Sequence, residues 1–157
     1  MTTDPTASAN GAAPGYDLEA IWKALADPGR RREFVRLSPV PDIPVTLAAH
    51  GEGGWELHER EVLDLSLGGV ALVLGPFEAR RVRVGELARL YLTLGDHAVN
   101  VHGRVVRLHR LPGVLVPRYV LGIEFVGDAS LQRALPYLVD TLVRLNDALG
   151  HPYARVA

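Results

Sequence analysis

From Ile43 to Val126 the chain reads as short apolar runs separated by turn residues, and that spacing constrains the fold more than any other feature. Ile43, Val45 and Leu47 alternate with polar or small residues ahead of the turn signal Gly51-Glu52-Gly53-Gly54. Trp55 and Leu57 open a returning strand that runs toward Val62. After Asp64-Leu65-Ser66-Leu67-Gly68-Gly69 comes the apolar run Val70-Ala71-Leu72-Val73-Leu74, which stops at Gly75-Pro76. Leu87 to Leu94 is the next candidate, joined by Gly95-Asp96 to a strand over 98–108. Leu111-Pro112-Gly113 then turns the chain into Tyr119 to Val126, where Tyr119, Leu121, Ile123 and Phe125 share one face. About six strands at this spacing, with no helix-length pattern between consecutive ones, predict a mainly β domain. The expected architecture is a small six-stranded antiparallel β-barrel, and a parallel α/β sheet is disfavoured.

The flanks read differently. Residues 1–16 are Thr, Ser, Ala, Gly and Pro with little to bury, which predicts a flexible N-terminal tail. Residues 17–29 predict a short N-terminal helix and linker: Asp17 can cap it, Ile21, Trp22 and Leu25 share one side, and Pro28-Gly29 ends it. The barrel with its leading loop then occupies 30–127, and a longer C-terminal helix occupies 128–150. Asp128 or Ser130 can cap that helix, and Pro136 either kinks it or starts a second one. Leu131, Leu135, Leu138, Leu142, Leu145 and Leu149 recur at alternating steps of four and three. Such a stripe serves either to pack across the barrel or, more sharply, as a seam between protomers that would make a homo-oligomer through this helix.

Two polar stretches stand out against this frame. Arg30-Arg31-Arg32-Glu33-Phe34-Val35-Arg36 places four guanidiniums within seven residues of a chain whose formal net charge is −1. The following Ser38-Pro39-Val40-Pro41 marks the stretch as a loop. Arginine grips phosphate with a planar fork and stacks on flat rings, yet an isolated run of this kind is ordinarily a solvated loop. Asp64-x-Ser66-x-x-Gly69 is the second. A carboxylate there can accept from the N1–H and exocyclic amine of guanine while the hydroxyl donates to an oxygen. By itself, however, it is also a capped turn with glycines for tight backbone.

Other chemistries find little support. There is no cysteine, so disulfides, thiolate metal sites and thiol catalysis are excluded. The six histidines match no zinc spacing, and no metal is expected. Ser66 lacks a nucleophile elbow, and no Gly-rich phosphate loop with Lys is present, so no enzyme is expected. Arg80, Arg81 and Arg83, like Arg104 and Arg107, read as a solvated basic rim. No apolar run reaches a membrane span and no signal pattern opens the chain, so the expected location is cytoplasmic, without membrane insertion.

The order of the two stretches carries more than either alone. Arg31-Arg32-x-x-x-Arg36, a strand hairpin, then Asp64-x-Ser66-x-Gly68-Gly69 resembles the arrangement that marks the PilZ-domain family. Val101-x-Gly103-x-Val105-Val106-Arg107 and Gly122-Ile123-Glu124-Phe125, followed by a helix, look like the rest of that domain, and the resemblance covers about Arg30 to Leu145. It implies a six-stranded barrel with a C-terminal helix that binds the bacterial second messenger cyclic di-GMP as ligand, with no cofactor. Carried over by position, Arg32 and Arg36 would grip phosphates and stack on guanine, with Arg31 as an auxiliary contact. Asp64 and Ser66 would contact the ligand from the barrel surface, and Gly68 and Gly69 would let the backbone approach. The implied mechanism is a switch that an unidentified protein partner reads. Two other readings compete: a family member that acts as an interaction module in motility or pilus systems without nucleotide, and a small barrel for single-stranded nucleic acid. The second wants exposed aromatic platforms, and aromatics make up only 6% of the chain, so no nucleic-acid partner is expected.

Overall fold

A computed structural model describes residues 17–25, 37–113 and 115–149. In chain order the elements are helix α1 (Leu18–Leu25), strands β1 (Val45–Gly51), β2 (Glu56–Glu61), β3 (Asp64–Leu65) and β4 (Gly69–Leu74), the one-turn helix α2 (Pro76–Ala79), strands β5 (Leu87–Leu94), β6 (His97–Arg110) and β7 (Tyr119–Phe125), and helix α3 (Ala129–Ala148). The strands form one antiparallel sheet in the order β2-β1-β5-β6-β7-β4-β3. The described residues thus hold seven strands where six were expected. The additional one, β3, lies in what the sequence offered as a turn. Residues 56–65 form one passage that changes partners in mid-course: Val62 donates to Val45 of β1 (3.1 Å) and Leu63 donates to Ala71 of β4 (2.8 Å). Those two bonds bring the ends of the curled sheet together.

Alternation explains the inside of the curl. Val45, Leu47 and Ala49, then Leu90, Leu92 and Leu94, then Val99, Val101 and Val105 point inward and are buried. A bulge between Val105 and Arg107 breaks the period on β6, so that Arg104 and Arg107 both face outward. The predicted two-residue connection at Gly95-Asp96 is present, with Leu94 paired to His97 and Gly95 at φ 63°. Trp55 is 3% exposed, and its indole N–H donates to Glu86, which also accepts from Gly53 and Arg83 backbone N–H groups. That buried carboxylate latches the β1–β2 hairpin onto the segment ahead of β5.

Asp128 is the cap of α3, accepting from the backbone N–H of Ser130 and Leu131. Pro136 neither ends nor splits the helix, which runs through it as one twenty-residue element. Five leucines of the stripe, from Leu131 to Leu145, are buried in the same core cluster as the barrel interior, and Leu149 packs against it. The stripe therefore packs on the barrel, mainly along β6. At the other end Asp17 caps α1 through Glu19 and Ala20, and α1 lies against α3 with Trp22 half-buried. Among the described residues no helix is long and apolar enough to cross a membrane.

Candidate functional site

The Asp64–Gly69 segment folds as it does because Ser66 closes it. The Ser66 hydroxyl accepts from the N–H of Gly68 (3.2 Å) and Gly69 (3.1 Å), and its own N–H donates to the Gly69 carbonyl (2.9 Å). The side chain is thereby committed to the turn, and the residue is 7% exposed. Gly69 has a different constraint. A Cβ at that position would stand 2.3 Å from the carbonyl oxygen of Ile123 on β7. Gly68 offers its carbonyl to the N–H of Phe125 (2.8 Å). Asp64 is half-buried, and among the described residues its carboxylate has no hydrogen-bond partner.

One bridge joins this turn to the arginine stretch. Leu37 exchanges both backbone hydrogen bonds with Leu65, each 3.0 Å long. Leu37 follows Arg36 in the chain, and Leu65 sits between Asp64 and Ser66, so the residue after the arginine stretch is bonded into the turn motif. Arg31, Arg32 and Arg36 themselves lie outside the described residues, as do the expected tail and linker.

Register adds a residue that sequence reasoning had left as solvated surface. Asp64 stands opposite Ala71, Ala71 opposite Gly122, and Gly122 opposite Arg107, which makes one row across four strands on the outer face. At roughly 4.8 Å per strand the row spans about 14 Å. Its middle is a sheltered strip of two small residues, both buried. Arg107 lies over it: a Cβ on Gly122 would meet the Arg107 Cβ at 3.2 Å and its Nε at 3.3 Å. A carboxylate at one end and a guanidinium laid along the floor from the other suit a ligand with both hydrogen-bond donors and anionic or aromatic parts. The signal that could have found Arg107 was the glycine in register with it, visible only once the bulge is known.

A second polar cluster lies elsewhere. His102 Nδ1 is 2.7 Å from Asp128 Oδ2, and Ser130 Oγ accepts from the His102 backbone N–H. Burial pushes the Asp128 carboxyl up, but hydrogen bonds from Ser130, His102 and the Leu131 N–H, with the His102 charge, outweigh it and hold the group at about 2. The cluster ties the helix cap to β6, with the Ser130 hydroxyl also donating to the Asp128 carboxylate. Among the described residues no group of three or more His, Asp or Glu is placed to hold a metal.

Comparison with known proteins gives the same fold. A family profile described as PilZ domain matches residues 30–138. The chain is similar to the PilZ domain with c-di-GMP of YcgR from Escherichia coli, at 17% identity and TM-score 0.58, over 76% of this chain and 98% of that one. It is also similar to MrkH of K. pneumonia in its apo state, at 17% identity and TM-score 0.59, over 79% of this chain and 53% of the other. PlzA of Borreliella burgdorferi in complex with c-di-GMP matches at 11% identity and TM-score 0.56, over 88% and 61%. The chain thus spans about half the length of MrkH and somewhat more of PlzA. No curated protein sequence matches. Profile, sheet order and terminal helix agree, and the chain belongs to the PilZ domain family.

Proposed function

We propose that this chain is a cytoplasmic receptor and adaptor, not an enzyme, that binds cyclic di-GMP between the arginine stretch and the outer face of the barrel. The observation that supports the reading is the Leu37–Leu65 bridge, which bonds the residue after the arginine stretch to the Asp64-x-Ser66-x-x-Gly69 motif. In this reading Arg32 and Arg36 grip the phosphates, Arg31 assists, Asp64 accepts from a guanine edge, and Arg107 stacks along the strip over Gly122. Ser66, Gly68 and Gly69 shape the backbone that meets the ligand. Four like charges within 30–36 repel one another until a dianionic ligand neutralises them. Binding then orders the stretch against the barrel and changes a surface that a protein partner reads.

Calorimetric titration with cyclic di-GMP tests it. Arg32→Ala and Asp64→Ala each remove a charge-assisted contact of about 1.5–3 kcal/mol, which corresponds to roughly ten- to hundredfold weaker binding. Binding that survives unchanged in Arg32→Ala would sink the assignment of the stretch. One observation favours the reading without ligand: Ser66 and Gly69 already have structural work inside the fold, so their presence does not require a nucleotide. Absence of any heat with wild-type protein would favour that interaction module.

A further inference from the structure

The segment between β4 and β5, Pro76-Phe77-Glu78-Ala79-Arg80-Arg81-Val82-Arg83-Val84-Gly85-Glu86, sorts its charges by direction. Both acids turn inward. Glu78 pairs with Arg60 and accepts from the Gly75 N–H, while Glu86 is 8% exposed and saturated by three N–H groups. The arginines turn outward. Arg80, Arg81 and Arg83 are exposed, and among the described residues none has a carboxylate within salt-bridge reach. Two of them are also held in place: Arg80 lies 5.8 Å over the Phe77 ring, and Arg83 donates to the Arg80 carbonyl. Arg104 extends the group from β6. Its guanidinium donates to the Gly85 carbonyl at 2.8 Å.

Apolar side chains are interleaved with these cations. Phe77 is 80% exposed, Val84 62%, and Val106, lifted out by the β6 bulge, 46%. Backbone bonds from Gly85 to Val105 and from Val105 to Glu86 hold the 84–86 turn alongside the bulge, so the two valines belong to one face. Exposed Phe beside several arginines is the composition of an interface centre. Arg80, Arg81 and Arg83 thus put three guanidiniums with no carboxylate in salt-bridge reach among the described residues into a stretch of four, in a chain of net charge −1.

We propose that this face docks an acidic segment of a partner protein that carries at least one apolar side chain: the carboxylates meet Arg80, Arg81, Arg83 and Arg104, and the apolar group meets Phe77 and the two valines. Charge complementarity names the partner's sign, and guanidiniums fixed on carbonyls favour a protein segment over the diffuse charge of a lipid surface. The inference rests on the adaptor reading only for the existence of a partner.

A photo-crosslinking amino acid at Phe77, in the cells that make the protein, tests it, with the crosslinked peptide identified by mass spectrometry. The expected product is one protein segment of net negative charge containing an apolar residue. Its yield should fall at least tenfold when Arg80, Arg81 and Arg83 are all changed to Glu, and less when they are changed to Gln. Circular dichroism of the Glu and Gln variants, expected to match wild type, checks that the fold is retained. A neutral or basic segment, a lipid adduct, no adduct, or a yield insensitive to charge reversal overturns the proposal. Calorimetric titration of the charge-reversed chain with cyclic di-GMP keeps the two readings separable, since the nucleotide site does not include these three arginines.

Discussion

Gly69 shows how one residue can serve a motif and a wall at the same time. Its missing Cβ leaves room for the carbonyl of Ile123, a backbone atom that cannot move without disturbing the β4–β7 ladder. Gly69→Ala is therefore expected to destabilise the ligand-free protein by about 1–3 kcal/mol, read as a lower urea midpoint at unchanged slope. An unchanged midpoint would mean that the glycine serves only a bound molecule. Ser66 is similar, a hydroxyl used up by its own turn. At this scale the sequence exposed the residue types of the site well and their duties poorly. The carboxylate of Asp64 and the hydroxyl of Ser66 were visible as types, but Ser66 is spent on its own turn and the work of Gly69 depends on a strand more than fifty positions away. Arg107 escaped for the same reason, because only register places it over Gly122.

Among the elements, α3 is attached through a titrating group. Asp128 holds both the helix N-terminus and the ring of His102 on β6. Its carboxyl is depressed to about 2 from 3.8, so its contribution to stability is present above pH 4 and is lost as the pH falls toward 2. Asp128→Asn keeps a capping oxygen and removes the charge. The stability gap between wild type and this variant, from urea midpoints, should be open at pH 5 and close between about pH 4 and 2; a gap constant across that range would contradict the linkage. Element types were largely legible, since alternation and turn residues marked β1, β2, β4, β5, β6 and β7. What escaped were short pieces set by tertiary pairing: β3 exists because Leu63 and Asp64 find β4, and α2 because Gly75 and Pro76 start a turn that Glu78 caps. Pro136 was the opposite case, a local signal overridden by the burial of leucines on both sides of it.

Among the described residues, one apolar cluster runs from Leu37 through the barrel to Leu145 on α3. Leu138, fully buried near the middle of the helix, tests whether barrel and helix melt as one body. Leu138→Ala is expected to cost about 2–5 kcal/mol and to lower one cooperative transition. The midpoint should be the same at low and high protein concentration, since a stripe spent inside the chain cannot hold a dimer together; a concentration-dependent midpoint would reinstate a seam between copies. The passage 56–65 has a mechanical corollary. Along most of the wall each strand is laced to its neighbour over six or more residues, but at 62–63 the lacing is two bonds, one to each side. Two residues further on, Leu65 carries the Leu37 bridge. A pull on that bridge loads this narrow joint first, whereas the β1–β2 hairpin beyond it is anchored by the seven-residue ladder of β1 with β5.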